Sequence, residues 1–250
     1  MTADPKEKVV SFSGVDKIYR RPGLFRKVSV PALGGLSLDL ERGEIAGLLG
    51  LNGAGKTTIM KLMTGLLFPD AGTISVFGLP PSDVASKSRI GFLPELPYFY
   101  PYDTAGSALA YYAGLSGLSG PAIRARVAVV MEKVGLKPHA AKKVAEFSKG
   151  MMQRLGLAQA IVHDPELLIL DEPVSGLDPL AIHEIRDLIS RLNGEGKTVF
   201  LSSHSISELE KVTDRVFILV LGRLARVVAR AEWENTRGGL EEIFVQTVKL

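Results

Sequence analysis

Residues 50–57 read GLNGAGKT, an order of residue types that suits a polyphosphate. Gly50, Asn52, Gly53, Ala54 and Gly55 form a loop of mostly small side chains, so successive backbone N–H groups can curl around phosphate oxygens. Lys56 is spaced to reach the β- and γ-phosphates, the Thr57 hydroxyl is spaced to hold Mg2+, and Thr58 after it is a further nucleotide-binding candidate. A second stretch, LLILDE at 167–172, ends an apolar run in two carboxylates. On that reading Asp171 holds Mg2+ through water and Glu172 is the general base for the attacking water. An acid capping the start of a helix before Pro173 gives the same local pattern; the glycine loop upstream favours the metal-and-water reading. The two stretches together predict hydrolysis of a nucleoside triphosphate.

A third segment narrows the class. FSKGMMQR, residues 147–154, begins its polar part at Ser148, 23 positions before Asp171 (171 − 148). A serine followed by a glycine at a helix start offers a hydroxyl, a close backbone and the positive end of a helix, which makes a second phosphate site. Ser148 as an ordinary N-cap is compatible with that role. Here the sequence resembles the ABC ATPases, whose signature is usually Leu-Ser-Gly-Gly-Gln followed by a short run ending in Gln-Arg. Ser148, Gly150, Gln153 and Arg154 match it, whereas Phe147, Lys149 and Met151 depart from it.

The resemblance implies ATP and Mg2+ as ligands and a head-to-tail dimer. In such a dimer Ser148, Lys149, Gly150 and Met151 of one copy close on ATP held by the glycine loop of the other. VSGLD, residues 174–178, resembles the loop that crosses the dimer interface and ends in Asp178. SSHS, residues 202–205, puts His204, 33 residues after Asp171 (204 − 171), where the family keeps its γ-phosphate-sensing histidine. Without that register, a lone histidine at a strand end reads as structural. Tyr19, in DKIYR, resembles the aromatic that stacks on adenine, although by itself it reads as packing. Glu95, in GFLPE, stands where most of the family carries a glutamine. A carboxylate there can bind Mg2+ or orient water but cannot donate a hydrogen bond while ionised. The glutamate form resembles a branch containing many bacterial exporters, as does GGLEEIF at 238–244.

The elements that must position these residues alternate between short β-rich runs and longer helical patterns, which predicts a layered α/β fold. Residues 9–15 and 35–40 read as early strands joined by the basic stretch RRPGLFRKVSVP, and 44–49 as the first buried strand. After the glycine loop, Ile59, Met60, Met63 and Leu66 keep helical spacing. Residues 73–77, 90–93, 166–170, 198–202, 216–221 and 224–228 read as further strands, and 240–248 as a closing amphipathic helix. Ile123, Val127, Val130, Met131 and Val134 form one helical stripe, opened by Pro121 and closed by Gly135; Ile182, Ile185, Leu188, Ile189 and Leu192 form another. With the resemblance, the fold expected is a P-loop NTPase core with an N-terminal antiparallel β subdomain and an inserted α-helical signature subdomain. All 250 residues then form one ABC ATPase domain: a nucleotide-binding core at 1–95 and 164–229, a helical subdomain at 96–163 and a short tail at 230–250.

Composition bounds the rest. Hydrophobic residues make up 46% and charged residues 23%, which excludes a disordered or fibrous chain. The absence of cysteine excludes disulfides, thiolate metal sites and a cysteine nucleophile, and no pair of the four histidines has metal-ligand spacing. A net charge of +3 is too weak a bias to argue for nucleic acid. No apolar run approaches the roughly 20 residues of a spanning helix, and MTADPKEKVV does not resemble a signal peptide. Within these bounds, the resemblance implies a chain on the cytoplasmic face of a membrane, beside a separate integral permease and a second ATPase subunit, most simply its own copy. The alternative is an ABC ATPase without a transport role, acting on ribosomes or nucleic acid. Neither the tandem cassettes nor the long coiled-coil insertions of those relatives occur here. Five of the six tyrosines fall at 98–112 with Phe99 among them; in this family that segment lines the groove for a permease helix, and the rings could equally fill a small core. The basic residues Arg20, Arg21, Arg26 and Lys27, around Phe25, read as a solvated hairpin or as a surface near anionic lipid.

Overall fold

The computed structural model describes residues 7–21 and 28–249. Along the chain run β1 (Lys8–Arg21), β2 (Val28–Glu41), β3 (Ile45–Gly50), α1 (Lys56–Met63), β4 (Ala71–Val76) and α2 (Val84–Lys87). There follow β5 (Ile90–Leu93), α3 (Ala105–Leu115), α4 (Pro121–Lys133), α5 (Lys149–Ile161), β6 (Leu167–Leu170) and α6 (Pro179–Gly194). The last stretch holds β7 (Thr198–Ser203), α7 (Ile206–Val212), β8 (Arg215–Val220), β9 (Arg223–Ala229), α8 (Arg230–Glu234) and α9 (Gly239–Val248). They make two compact units, one of residues up to Lys87 and from Phe200 onward, the other of Ser88–Val199.

In the first unit β1 runs antiparallel between β2 and β4. Both β1 and β2 are 14 residues long, well beyond the stretches 9–15 and 35–40 read from the sequence. The reason lies in irregular register: shifts between Phe12 and Lys17 break the alternation that marks a strand. Asp16 accepts the Gly35 N–H and Ser37 accepts the Gly14 N–H, so side chains take up hydrogen bonds where the ladder is disturbed. Phe25, Arg26 and Lys27 of the expected basic hairpin lie outside the described residues.

The other strands of this unit carry the glycine loop. All six residues of β3 are buried, as expected for a strand covered on both faces, and β3 pairs parallel with β8, which pairs antiparallel with β9. Helix α1 stops at Met63, so Leu66 leaves the expected stripe and stands 61% exposed. The Thr64 hydroxyl donates to the Met60 carbonyl and the chain turns at Gly65, which ends the helix three residues before Leu66. Helix α8, with Trp233 buried, was not expected from the sequence; at five residues it is too short to show a periodic stripe.

In the second unit β5 and β6 pair parallel from Ile90↔Leu167 to Leu93↔Leu170. The α4 stripe is buried at Val130, Met131 and Val134 and half-buried at Ile123 and Val127. Arg126 of α4 donates at 2.8 Å to the carbonyls of Ile161 and Val162, so a cation satisfies the carbonyl-rich end of α5. Just beyond, His163 donates Nε2–H to the Ile90 carbonyl at 2.9 Å, which fixes its neutral tautomer, and burial holds its pKa below the usual histidine value. Lys197 and Arg126 beside Asp164 keep that carboxyl low.

The aromatic segment divides between surface and interior. Phe99 is buried and meets Tyr112 edge-on at 5.7 Å, and Tyr112 meets Tyr111 at 5.5 Å. Tyr98, Tyr100, Tyr102 and Tyr111 are exposed. A cleft of about 420 Å3 opens here, lined by Phe92, Pro94, Tyr98, Tyr112, Leu115 and His163 among others.

Candidate nucleotide site

The glycine loop follows buried β3 and opens α1, the strand–loop–helix order its chemistry needs. Lys56 is buried, and its Nζ donates to the Gly50 carbonyl at 2.7 Å across the mouth of the loop. Ala54 N–H closes the loop onto the Leu51 carbonyl at 3.1 Å. Gly55, at φ 110°, is the N-cap of α1 and provides no side-chain cap, so the helix start keeps backbone donors for an anion. Asn52, Gly53 and Thr57 are exposed around it, whereas Ala54 and Thr58 are buried. Uncapped donors, a buried ammonium and an exposed hydroxyl fit a polyphosphate with its cation. The Tyr19 hydroxyl lies 3.4 Å from Thr58 Oγ1, which ties its half-buried ring to the loop. His204 belongs to the same unit and sits exposed in the bend between β7 and α7, where Ser205 N–H donates to Ser203 Oγ.

Two glycines of the loop are explained by packing as well as by phosphate. A Cβ on Gly50 would stand 2.7 Å from the Leu219 carbonyl of β8, and one on Gly55 would stand 2.9 Å from the Ala32 carbonyl of β2. The residues that close on the loop from behind, Ala32, Leu219 and Gly222, were not singled out from the sequence. The one local signal was Leu221–Gly222 between two strands, a turn dipeptide with nothing to mark its neighbour.

The second unit holds the acidic residues and the signature helix. Asp171 and Glu172 are buried at the end of β6, and Asp171 N–H donates to the Leu93 carbonyl at 2.8 Å. Glu172 has φ 48°, a left-handed conformation that costs a side-chain-bearing residue about 1–3 kcal/mol and that clusters at functional positions. Ser175 N–H donates to the Glu172 carbonyl at 3.1 Å and closes the turn that holds it there. Glu95 is exposed just after β5.

Ser148 is the N-cap of α5, and its hydroxyl accepts from Met151 N–H at 3.3 Å. Lys149 lies beside the 174–178 turn, its Nζ at the place a Cβ on Gly176 would take. A Cβ on Gly150 would meet Ala181 Cβ at 3.4 Å, ordinary contact, so packing within this unit does not by itself require glycine. Arg154 pairs with Glu184 and so ties α5 to α6. Asp178 is the N-cap of α6, accepting from Leu180 and Ala181 N–H groups.

A glycine loop after a buried parallel strand, beside an antiparallel sheet of β2, β1 and β4, is the arrangement of the nucleoside-triphosphate-hydrolysing α/β cassettes. The ABC transporter family profile matches residues 33–175. An ABC transporter ATP-binding protein of Nostoc sp. PCC 7120 is 43% identical over 90% of this chain and 67% of its own. The bacitracin transport ATP-binding protein BcrA of Enterococcus faecalis is 43% identical over 98% of this chain and 77% of its own. A solved ATP-binding subunit of an ABC transporter superposes with a TM-score of 0.80 at 28% identity, over 96% of this chain and 99% of that one. The chain belongs to the ABC transporter family, as an ATP-binding cassette with ATPase activity.

Proposed function

We propose that the chain is the ATP-hydrolysing subunit of a membrane exporter, working as a dimer around two ATP molecules and driving a separate permease. The observation that carries this reading is the presence on one chain of two helix starts suited to phosphate, at α1 and α5, in separate units. One grips its own ATP and the other is offered to the ATP of a second copy.

Lys56 and the loop N–H groups from Gly50 to Thr57 hold the β- and γ-phosphates, and Tyr19 stacks on adenine. The Thr57 hydroxyl and the Asp171 carboxylate are hard oxygen donors of the kind Mg2+ takes alongside phosphate oxygens. When bound, Mg2+ neutralises charge on the transferring phosphoryl group. Glu172 takes a proton from the attacking water as the water oxygen bonds to the γ-phosphorus and the bond to the β–γ bridging oxygen breaks. His204 donates to the γ-phosphate. Ser148, Lys149, Gly150 and Met151 face the second copy's nucleotide, and the turn ending in Asp178 lies along the dimer interface. Glu95 orients water or Mg2+ and passes the state of the site to the permease.

Among the described residues no helix is long and apolar enough to cross a membrane; the proposed exporter takes its membrane path from a separate permease. The cleft beside Tyr98 and Tyr112 suits an amphipathic permease helix, whose apolar face these rings can cover. That contact keeps the subunit on the inner face of the membrane. The test is co-purification in detergent with the membrane protein encoded beside it. Wild type should co-elute, and Tyr98→Asp should elute alone with its ATPase retained. Co-purification with ribosomes or DNA instead would contradict the transport role.

A further inference from the structure

The turn between β8 and β9 touches the nucleotide loop through backbone alone. Gly222 N–H donates to the Ala54 carbonyl at 3.0 Å, and the Gly222 carbonyl accepts from Gly34 N–H at 3.0 Å. A single residue thus bridges β2 and the nucleotide loop. Its fit admits no side chain: a Cβ on Gly222 would drive into the Ala32 carbonyl, and the residue has φ 78°. The neighbouring Leu221 is held at φ 46° with its side chain 90% exposed, so a strained backbone with no burial to offset it persists in this turn. Arg223 completes the junction, its guanidinium 3.5 Å from where a Cβ on Gly34 would lie.

The consequence follows from peptide geometry. In a planar trans peptide the C=O and the N–H point to opposite sides. With the Ala54 carbonyl drawn to Gly222, the N–H of Gly55 in the same peptide is aimed away from the turn, and among the described residues it meets no acceptor. Gly55 is the N-cap of α1, so its N–H belongs to the donors a phosphate would use. We propose that the Leu221–Gly222 turn is a positioning element for the nucleotide loop: Gly222 fixes the 54–55 peptide so that Gly55 N–H is presented to a phosphate without rearrangement. The inference rests on the loop binding ATP.

The test is equilibrium titration with ATP in EDTA, which stops turnover, with the melting temperature recorded on the same samples. Gly222→Ala forces a Cβ against Ala32 and should raise the ATP Kd about tenfold or more, the scale of one misplaced hydrogen bond to a charged group plus the shift of the loop. Replacing Gly222 by glycolic acid removes only the N–H and should raise the Kd about three- to tenfold, the net worth of one hydrogen bond. Gly78→Ala is the control, because Gly78 also has positive φ, at 76°, in the same unit but meets nothing within 4 Å; it should leave the Kd at the wild-type value. If Gly222→Ala does not fold, the glycolic acid variant decides. A wild-type Kd in the glycolic acid variant overturns the proposal, as does an equal rise in Gly78→Ala. Failure of the wild-type chain itself to bind ATP would instead contradict the reading of the site.

Discussion

At the residue scale, two residues are held under constraint, Glu172 in its backbone and His163 in its protonation state. Glu172 occupies the left-handed region with its carboxylate buried, and the turn closed by Ser175 keeps it there. Its strain is tied to the chemistry proposed for it, since a base must be held at a fixed angle to the attacking water. His163 is different: it is buried, bonded through Nε2 to the Ile90 carbonyl, and kept neutral chiefly by desolvation. Its folded pKa lies below the unfolded value of 6.5, so below pH 6.5 the unfolded chain binds the proton more readily. Stability is therefore full above that pH and falls as pH drops from 6.5 through the folded pKa. Urea unfolding between pH 8 and 5 should show that decline, and His163→Gln, which can still donate to Ile90, should reduce it. An unchanged decline in His163→Gln would assign it to other groups.

At the element scale, the proposed dimer requires helix α5 to be both a packed helix and a presented N-terminus. Arg126 fixes its carboxyl end and Arg154 ties it to α6, while Ser148 caps the start. Ser148→Ala should lower the unfolding free energy by about 1 kcal/mol through the lost cap. Ser148→Asp separates the two roles, because aspartate caps as well as serine but sets a negative charge against phosphate. It should keep the wild-type melting temperature and lose most ATPase activity; full activity in Ser148→Asp would remove Ser148 from the phosphate site.

The same element marks how far the sequence could be read. The order of strand, loop and helix around Lys56, the buried run before Asp171 and the α4 and α6 stripes were legible because each is a local pattern with its own period. The full length of β1 and β2 was not, since their register shifts break the alternation. The neighbours of the glycine loop were not either: Ala32 and Leu219 meet Gly55 and Gly50, and Gly222 meets Ala54, through backbone atoms, which no side-chain pattern reports. The aromatic segment reads equally as surface or core, because spacing alone does not separate Phe99, buried, from Tyr98, exposed beside it.

At the scale of the whole molecule, the residues proposed for the chemistry are divided between two compact units, with the glycine loop and His204 in one and helix α5, Asp171 and Glu172 in the other. Family membership accounts for ATP binding and hydrolysis. The dimer is the step on which the proposed transport cycle turns, and a variant that binds ATP without hydrolysing it isolates that step. The direct measurement is the molar mass of Glu172→Gln by light scattering after size exclusion, with ATP and Mg2+ and again with EDTA. The expected result is a stable dimer with ATP and Mg2+, a monomer in EDTA, and hydrolysis reduced to a trace. A Glu172→Gln chain that stays monomeric under saturating ATP and Mg2+ while hydrolysing ATP at the wild-type rate would contradict both the base assignment and the dimer.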